Sequence, residues 1–508
     1  MTLHLSIALW APLLFGVLGL LAPPRFASKL ALAGTLIVLG YAITYVVDFD
    51  SGSGGLQYLT DEMWISELGI HYKLGLDGLN LFLVLLTGVL WFACTLWASF
   101  TAWEKPRLFY FHLALAETSV LGALMAQDLA LFVVFFDLML VPFFFLTGIW
   151  GGVRRVQATM KLVIYTLVGS LLMLTAAVAT GVLSATGSPD VSFAFSDLAH
   201  RTLGESTQNW LFLAFAAAFL VKMPAFPFHG WMPDGYRAMP LPVLAVFSAV
   251  LSKVAAYGFL RIVLPFFPDA TQHFQTLMLL VALASILYGS AMAFTTTHVR
   301  LILGYSSVAQ LGFIVLGIFA LNSQGAQGAI LQAFNHGLVV APAFFIVALL
   351  AARSDGSEDI RDMGGLALRA PVLTALFLIV TFATLAMPGS SNFVGEFLIL
   401  LGVFQTKMAI AIIASTGVVL AAFYALRLYV RTMHNRTGPR VESRELSVRD
   451  GLVLVPLVLA ILAIALFPQF ALKRSEKTVS GVVPSARLTA LSPPGWSAYA
   501  PLRPKVTR

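Results

Sequence analysis

The sequence contains little of what enzymes use for redox or metal chemistry. Its 508 residues include one cysteine, Cys94, and 11% charged residues, against about 25% in a soluble domain. One cysteine excludes an internal disulfide, a Cys-ligated iron–sulfur cluster and a zinc ribbon. No GxGxxG or GxxxxGK[ST] motif occurs, and no two histidines have the i, i+4 spacing of a metal site. We therefore expect no cofactor and no metal in this chain.

Long apolar runs dominate the sequence, of which 59% is hydrophobic. This composition predicts an all-α polytopic membrane protein in contact with the lipid bilayer. A spanning helix needs about 20 apolar residues, and on that basis we predict fourteen transmembrane helices. They are expected near 5–22, 28–47, 77–101, 108–126, 128–149, 156–186, 209–231, 240–264, 274–295, 299–320, 327–352, 370–404, 408–432 and 451–471.

The net charge of +7 does not indicate nucleic acid binding, because the basic residues lie in loops between spans. Alternate loops are rich in arginine and lysine, and such loops are cytoplasmic in membrane proteins. This places both termini on the outer side. The basic residues Lys473, Arg474 and Lys477 depart from the pattern, and the polar tail that holds them is expected to be loosely ordered.

Two predicted spans are interrupted by proline, near Pro224 and near Pro388. Spans four to eight and nine to thirteen have matching spacing, and five helices per copy would invert the second copy. Paired broken helices in inverted repeats mark transport sites. The predicted divisions are 1–107 for helices one to three, 108–264 and 274–432 for the two five-helix repeats, 451–471 for helix fourteen, and 472–508 for the polar tail.

Ionisable residues within spans are costly and are functional candidates by default. Those that we single out for proton translocation are Asp137, Lys222, His229, Lys253, His336 and Glu396, with Glu117 as a weaker candidate that packing alone could explain. Burial makes a lysine release its proton more readily, and an approaching carboxylate opposes this. A chain of such groups could carry protons along the membrane midplane. Nothing in the chain supplies the energy, so a partner must.

Four segments carry a family resemblance: KMPAFPFHGWMPD (222–234), SKVAAYGFLR (252–261), LGYSSVAQLGF (303–313) and MPGSSNFVGEFLIL (387–400). They resemble the antiporter-like subunits of proton-pumping NADH:quinone oxidoreductase, respiratory complex I. The glutamate at 396 and the VP that follows Asp137 resemble the M-type subunit, or chain 4. The resemblance covers about residues 5–471.

The resemblance implies the fourteen-helix fold with its inverted repeat. It also implies that Asp137 modulates Lys222, that Lys253 is the central lysine and that Glu396 is the terminal proton site. Two positions depart from the family pattern. Asp137 stands where the family normally has glutamate, and Gln310 stands where it usually has histidine. Asp137 has a shorter reach to Lys222, and Gln310 cannot titrate but could order water.

The resemblance further implies a translocase subunit (EC 7.1.1 type) with no redox chemistry of its own. NADH, FMN, iron–sulfur clusters and quinone are then expected in partner subunits, and L-type and N-type antiporter-like subunits are expected as neighbours. The expected location is the bacterial inner (plasma) membrane. Two alternatives stay open: a subunit of a cation/proton antiporter, which a glutamate at 396 argues against, and a membrane-bound hydrogenase-type complex.

Overall fold

The computed structural model of the protein describes residues 4–185, 191–438, 441–442 and 444–483, and this part of the chain is almost entirely helical. In it, eleven helices are long and apolar enough to cross a membrane. They are Pro24–Asp48, Leu81–Ser99, Pro106–Met125, Leu129–Trp150, Arg155–Ser184, Leu241–Phe266, Gln275–Thr295, Val299–Ile318, Ser323–Arg353, Met408–Met433 and Val448–Leu466.

Several of the remaining helices are short because the chain bends or breaks beside them. The shorter apolar helices are Leu5–Leu21, Pro371–Thr384 and Ser391–Thr406, and Glu205–Lys222 ends at the first proline break. Short helical pieces complete the set: Ser66–Leu68, Phe195–Leu198, Phe228–Trp231, Met232–Ala238 and Pro268–His273. The polytopic α-helical class is confirmed, whereas the count of fourteen spans stays a prediction.

Three helices form the centre of the protein. Every residue of Val299–Ile318 is buried. The most apolar stretch of Leu241–Phe266 is also fully buried, and the most apolar stretch of Ser323–Arg353 is almost fully buried. A helix that is apolar on all sides has no preferred surface and is stable only when it is surrounded. By contrast, Arg155–Ser184 and Met408–Met433 expose many large apolar side chains, as lipid-facing helices do. Any polar group on the central helices must therefore find its partners inside the protein.

The loops gather on two opposite faces. On one face, Leu74 bridges to Ala126 and Asp128 bridges to Ala194. On the other, the Val299 amide donates to the Glu358 carbonyl, and the guanidinium of Arg300 pairs with the Glu358 carboxylate. The alternation of basic and less basic loops along the sequence predicts these same two groups of loops. The assignment of the basic face to the cytoplasm stays a prediction.

A β-hairpin lies between the second and third membrane helices, where we expected only a polar loop. Its antiparallel strands are Gln57–Ile65 and Ile70–Leu76. Asp61 accepts hydrogen bonds from His71 Nδ1 at 2.7 Å and from Lys73 Nζ at 2.8 Å. Burial opposes ionisation of Asp61, but the hydrogen bonds from Lys73 and His71 outweigh it and hold the pKa of the carboxyl below its usual value. The hairpin therefore carries its own ion-pair network.

The expectation of a loosely ordered tail is wrong for its first part. Residues Gln469–Val482 form a helix, here called the tail helix, while residues 484–508 lie outside the described chain. The tail helix docks on the hairpin side, where Arg474 Nε donates to the Val46 carbonyl at 3.2 Å and Thr478 Oγ1 accepts from the Gly78 amide at 3.1 Å. Lys477 Nζ also donates to the Gly52 carbonyl, so two of its basic residues bond to the segment that precedes the hairpin.

Gly78 makes the docking of the tail helix possible, since a Cβ there would lie 2.4 Å from the Arg474 carbonyl oxygen. We expect Gly78→Ala to loosen the tail helix and to expose Lys473, Arg474 and Lys477 to trypsin in the purified complex. Gly481→Ala is the matched control, because a Cβ at that position meets nothing within 4 Å. Equal cleavage rates in the two variants would show that this close approach does not hold the tail helix.

Candidate functional site

The first broken helix ends at Lys222, as the prolines predict. A proline removes a backbone donor and clashes with the preceding turn, so Pro224 and Pro227 prevent the helix from continuing. The chain then forms a short 3-10 turn, Phe228–Trp231, followed by the helix Met232–Ala238. Trp231 Nε1 donates to the Val221 carbonyl at 3.0 Å, which satisfies one of the carbonyls that the break leaves open.

Lys222 is buried, with 6% of its surface exposed. Its Nζ donates to the Phe136 carbonyl at 3.3 Å and lies 4.5 Å from the centre of the Phe136 ring. Asp137 is the next residue, near the end of Leu129–Leu138, but the described chain contains no ion pair within 4.0 Å between it and Lys222. The expected pair is therefore not closed, consistent with the shorter reach of aspartate.

His229 lies in the 3-10 turn after the break and is half-buried. Its ring stacks on Phe226 with 5.7 Å between centroids and lies 4.7 Å from the ring of Tyr288. Its Nδ1 has no hydrogen-bond partner among the described residues. One turn further along, Asp234 forms an ion pair with Lys161 at 2.8 Å, a partnership that we did not anticipate from the sequence.

Lys253 is fully buried, with 0% of its surface exposed. Its Nζ donates to the Ser248 carbonyl at 3.0 Å and to Ser252 Oγ at 3.2 Å. Immediately before it, residues Phe247–Leu251 form a π-helical turn, here called the π segment. Such turns disturb the regular hydrogen-bond ladder and occur frequently at functional sites. The π segment brings a carbonyl to Lys253 where no carboxylate is available.

His336 lies in Ser323–Arg353, a helix that packs against both the π segment and the turn of Lys253. It is 3% exposed, and it precedes Gly337, where the helix approaches the π segment. The neighbouring Gly337 permits this approach, since a Cβ there would lie 2.7 Å from the Ala249 carbonyl oxygen. Only a residue without a side chain lets the helix come so close to the π segment.

The second broken helix contains Glu396. Its two parts are Pro371–Thr384 and Ser391–Thr406, with the chain interrupted at 385–390. Glu396 is 2% exposed. Its Oε1 accepts hydrogen bonds from Gln310 Nε2 at 2.7 Å and from Gln332 Nε2 at 3.4 Å, and Gln332 Nε2 also donates to Gln310 Oε1 at 2.7 Å. We call Gln310, Gln332 and Glu396 the amide cluster.

One helical turn joins the lysine site to the amide cluster. Gln332 and His336 are four residues apart in Ser323–Arg353, so they lie on the same face of that helix, about 6 Å apart along its axis at a rise of 1.5 Å per residue. Ser323–Arg353 packs against the turn of Lys253, and its Gln332 contacts Glu396. Gln332 is not among the predicted site residues, because a search for ionisable groups inside spans does not find an uncharged amide. A polar amide four residues before a buried histidine was the available signal.

Glu117 stands apart from these groups. It lies in Pro106–Met125, is 0% exposed, and neither carboxyl oxygen has a hydrogen-bond partner among the described residues. The structure therefore does not bring it to the amide cluster or to a lysine within 4.0 Å in the described chain. In that part of the chain, no group of three His, Cys, Asp or Glu residues could hold a metal ion.

Comparison with known proteins identifies the family. Residues 126–422 match the family described as NADH:quinone oxidoreductase/Mrp antiporter, transmembrane. NADH-quinone oxidoreductase subunit M of Rhodobacter capsulatus is 36% identical over 461 residues, which cover 88% of each chain. NADH-ubiquinone oxidoreductase chain 4 of Marchantia polymorpha is 31% identical over 94% of this chain and 97% of its own.

A solved structure extends this similarity to the fold. A chain of respiratory complex I from Thermus thermophilus with bound NADH is 30% identical and superimposes with a TM-score of 0.86, covering 94% of this chain and 100% of its own. The sequence similarity and the structural similarity thus both extend over nearly the whole length of this chain. The protein belongs to the M-type, or chain 4, family of antiporter-like membrane subunits of NADH:quinone oxidoreductase.

Proposed function

We propose that this chain translocates protons as a membrane subunit of NADH:quinone oxidoreductase, through buried lysine, histidine and acid side chains. The observation that carries the proposal is the packing of Ser323–Arg353, which contacts the turn of Lys253 and the π segment beside His336 and brings Gln332 to Glu396. One helix thus contacts two buried ionisable sites. Buried ionisable groups that face one another inside a membrane protein are typical of proton relays.

The relay begins at Lys222 and passes to Lys253. A cavity of about 10 Å³ is lined by Lys222 and Thr166 on one side and by Phe247 and Leu251 of the π segment on the other. A volume of roughly 10–15 Å³ is enough for one water molecule. Lys222 and Thr166 are the polar side chains of this largely apolar lining, so a water held there would bond to Lys222 beside the π segment. His229, at the exposed end of the same break, supplies a titratable group on the route from the basic face.

Asp137 would control the first step of the relay, in which Lys222 releases its proton toward Lys253. With Asp137 withdrawn, as in this structure, Lys222 is held only by the Phe136 carbonyl and ring. If Asp137 moves toward Lys222, its charge stabilises the ammonium form, and its withdrawal favours release of the proton toward Lys253. His336 would then pass the proton to Glu396 through water that Gln310 and Gln332 help to order. Moving one charge against the membrane potential costs about 2.3 kcal/mol per 100 mV.

The energy that moves the proton against the membrane potential would come from quinone reduction in partner subunits. We place NADH, FMN, the iron–sulfur clusters and quinone there, in keeping with the names of the relatives and with the absence of suitable motifs here. The neighbours in the membrane would include the L-type and N-type antiporter-like subunits, and the membrane would be the bacterial plasma membrane. Stand-alone cation/proton antiport is less well supported, because the relatives at 36% and 31% identity are named as oxidoreductase subunits.

The central prediction concerns Lys253. We expect Lys253→Ala to slow proton translocation through this subunit by about 100-fold or more, the usual effect of losing a proton-transferring group. The measurement is proton uptake by vesicles that contain the assembled complex, with NADH oxidation recorded in parallel. Lys29→Ala, which removes an exposed lysine, is the matched control. Pumping at the control's level in Lys253→Ala would refute the relay.

A second prediction concerns Asp137. Asp137→Glu adds one methylene and should close the gap to Lys222, so pumping should be retained or increased. Asp137→Ala removes the charge and should impair pumping, while NADH oxidation by the uncoupled complex persists. Proton uptake per NADH oxidised is the quantity to compare. If both variants pump equally well, the carboxylate does not control Lys222.

A further inference from the structure

The two oxygens of the Glu396 carboxyl group have different surroundings. Oε1 accepts from Gln310 and from Gln332, whereas Oε2 has no hydrogen-bond partner among the described residues. A carboxylate oxygen that already accepts two N–H bonds is a poor place for a proton, because the proton would displace one of the donors. The free oxygen, Oε2, is therefore the position that can gain and lose a proton without rearranging the amide cluster.

The direction of the amide groups is fixed within the amide cluster itself. Gln332 Nε2 donates to Gln310 Oε1 at 2.7 Å, so the other end of the Gln310 amide, Nε2, must point to Glu396. Gln332 reaches this position because Gly395 has no side chain, since a Cβ there would lie 2.5 Å from Gln332 Oε1. Gln332 thus makes its own contact with Glu396 and also fixes the orientation of the Gln310 amide.

Asn392 lies one turn before Glu396 in Ser391–Thr406, which places the two side chains on one face of the helix. It is 0% exposed, and neither its amide nitrogen nor its oxygen has a hydrogen-bond partner among the described residues. The adjacent Asn335 donates to the Ser391 carbonyl at 2.6 Å, but its own Oδ1 is also without a partner there. Three unsatisfied amide atoms therefore cluster beside the start of this helix.

Such atoms are costly unless they bind water. Buried polar groups almost always have a hydrogen-bond partner, from protein or from an ordered water, and a buried water needs two to four polar partners. Asn392 provides partners of this kind on the same face of the helix as Glu396, whose Oε2 is also without a partner in the described chain. An asparagine can both donate to a water and accept from it, so it can hold a water in the orientation that proton exchange requires.

We propose that Gln332 and Gln310 confine proton exchange on Glu396 to Oε2, and that Asn392 holds the water that exchanges protons with this oxygen. This inference rests on the proposed function, in which Glu396 is the terminal site of the relay. In the loading step, one O–H bond breaks in the water and one forms at Glu396 Oε2. The water regains a proton from protonated His336, which loses one N–H proton through intervening water and becomes neutral. Release is the reverse transfer to a water on the exit side. Gln332 and Asn392 are positioning residues in this scheme.

Infrared difference spectroscopy of the assembled complex in vesicles tests the inference, together with proton uptake. The carboxylic C=O band of protonated Glu396 is assigned by its loss in Glu396→Gln. We expect Gln332→Leu to shift this band to higher frequency and to broaden it, because Oε1 loses a donor and Gln310 loses its fixed orientation. We expect Asn392→Leu to leave the band in place but to slow its hydrogen–deuterium exchange by about tenfold, the effect of losing one buried hydrogen bond.

Thr381→Val is the matched control, since the Thr381 hydroxyl is buried and bonds only to the Phe377 carbonyl of its own helix among the described residues. Gln332→Asn, which keeps an amide on a shorter stem, replaces Gln332→Leu if leucine prevents assembly, and the same band shift is expected. If Glu396→Gln pumps normally, the proposed function itself fails. If Glu396→Gln stops pumping but the band and its exchange in the Gln332 and Asn392 variants match those of Thr381→Val, only this inference is overturned.

Discussion

Burying an ammonium group inside the membrane costs several kcal/mol unless the protein supplies partners, and the rest of this structure depends on how that cost is met at Lys253. No carboxylate approaches it within 4.0 Å in the described chain. Instead, the π segment turns the Ser248 carbonyl toward the Nζ group, and Ser252 adds a hydroxyl. Neutral partners of this kind hold the lysine without fixing its proton. A permanent ion pair would keep the proton in place and would stop a relay.

The central helices then determine where the proton can go. Ser323–Arg353 is almost completely buried and contacts both the lysine site and the broken helix of Glu396. Gly337 and Gly395 let it approach each neighbour at backbone distance. Gly337 lies next to His336 in this helix, and Gly395 of Ser391–Thr406 lies against Gln332. Close packing at these two glycines therefore lets the helix reach both neighbours. The same helix therefore stabilises the core and positions the site.

Much of this arrangement could be predicted from the sequence. The span positions follow from apolar runs, both breaks follow from Pro224 and Pro388, and the alternation of basic loops predicts which loops share a face. Charged residues inside apolar runs are easy to find, so Lys222, Lys253 and Glu396 were predicted as site residues. The hairpin and the tail helix could not be predicted because neither has a long apolar run. The tail helix packs on Ser323–Arg353 and bonds to the segments on either side of the hairpin.

Contacts between distant segments could not be predicted in the same way. The sequence suggested that Asp137 pairs with Lys222, but the geometry brings the Phe136 carbonyl to the lysine instead. Gln332 and Asn392 carry no charge, so nothing local distinguishes them from other amides until the fold places them beside Glu396. Gln310, an uncharged residue, contacts Glu396 directly.

The central claim is that one helical turn links Lys253 to Glu396 by a continuous polar path. The most direct test is a cryo-EM map of the assembled complex, at a resolution that shows ordered water, over this region. The account predicts waters hydrogen-bonded in sequence from Lys253 past His336 to Oε2 of Glu396. A dry apolar layer between His336 and Glu396, closed by well-ordered side chains, would contradict it.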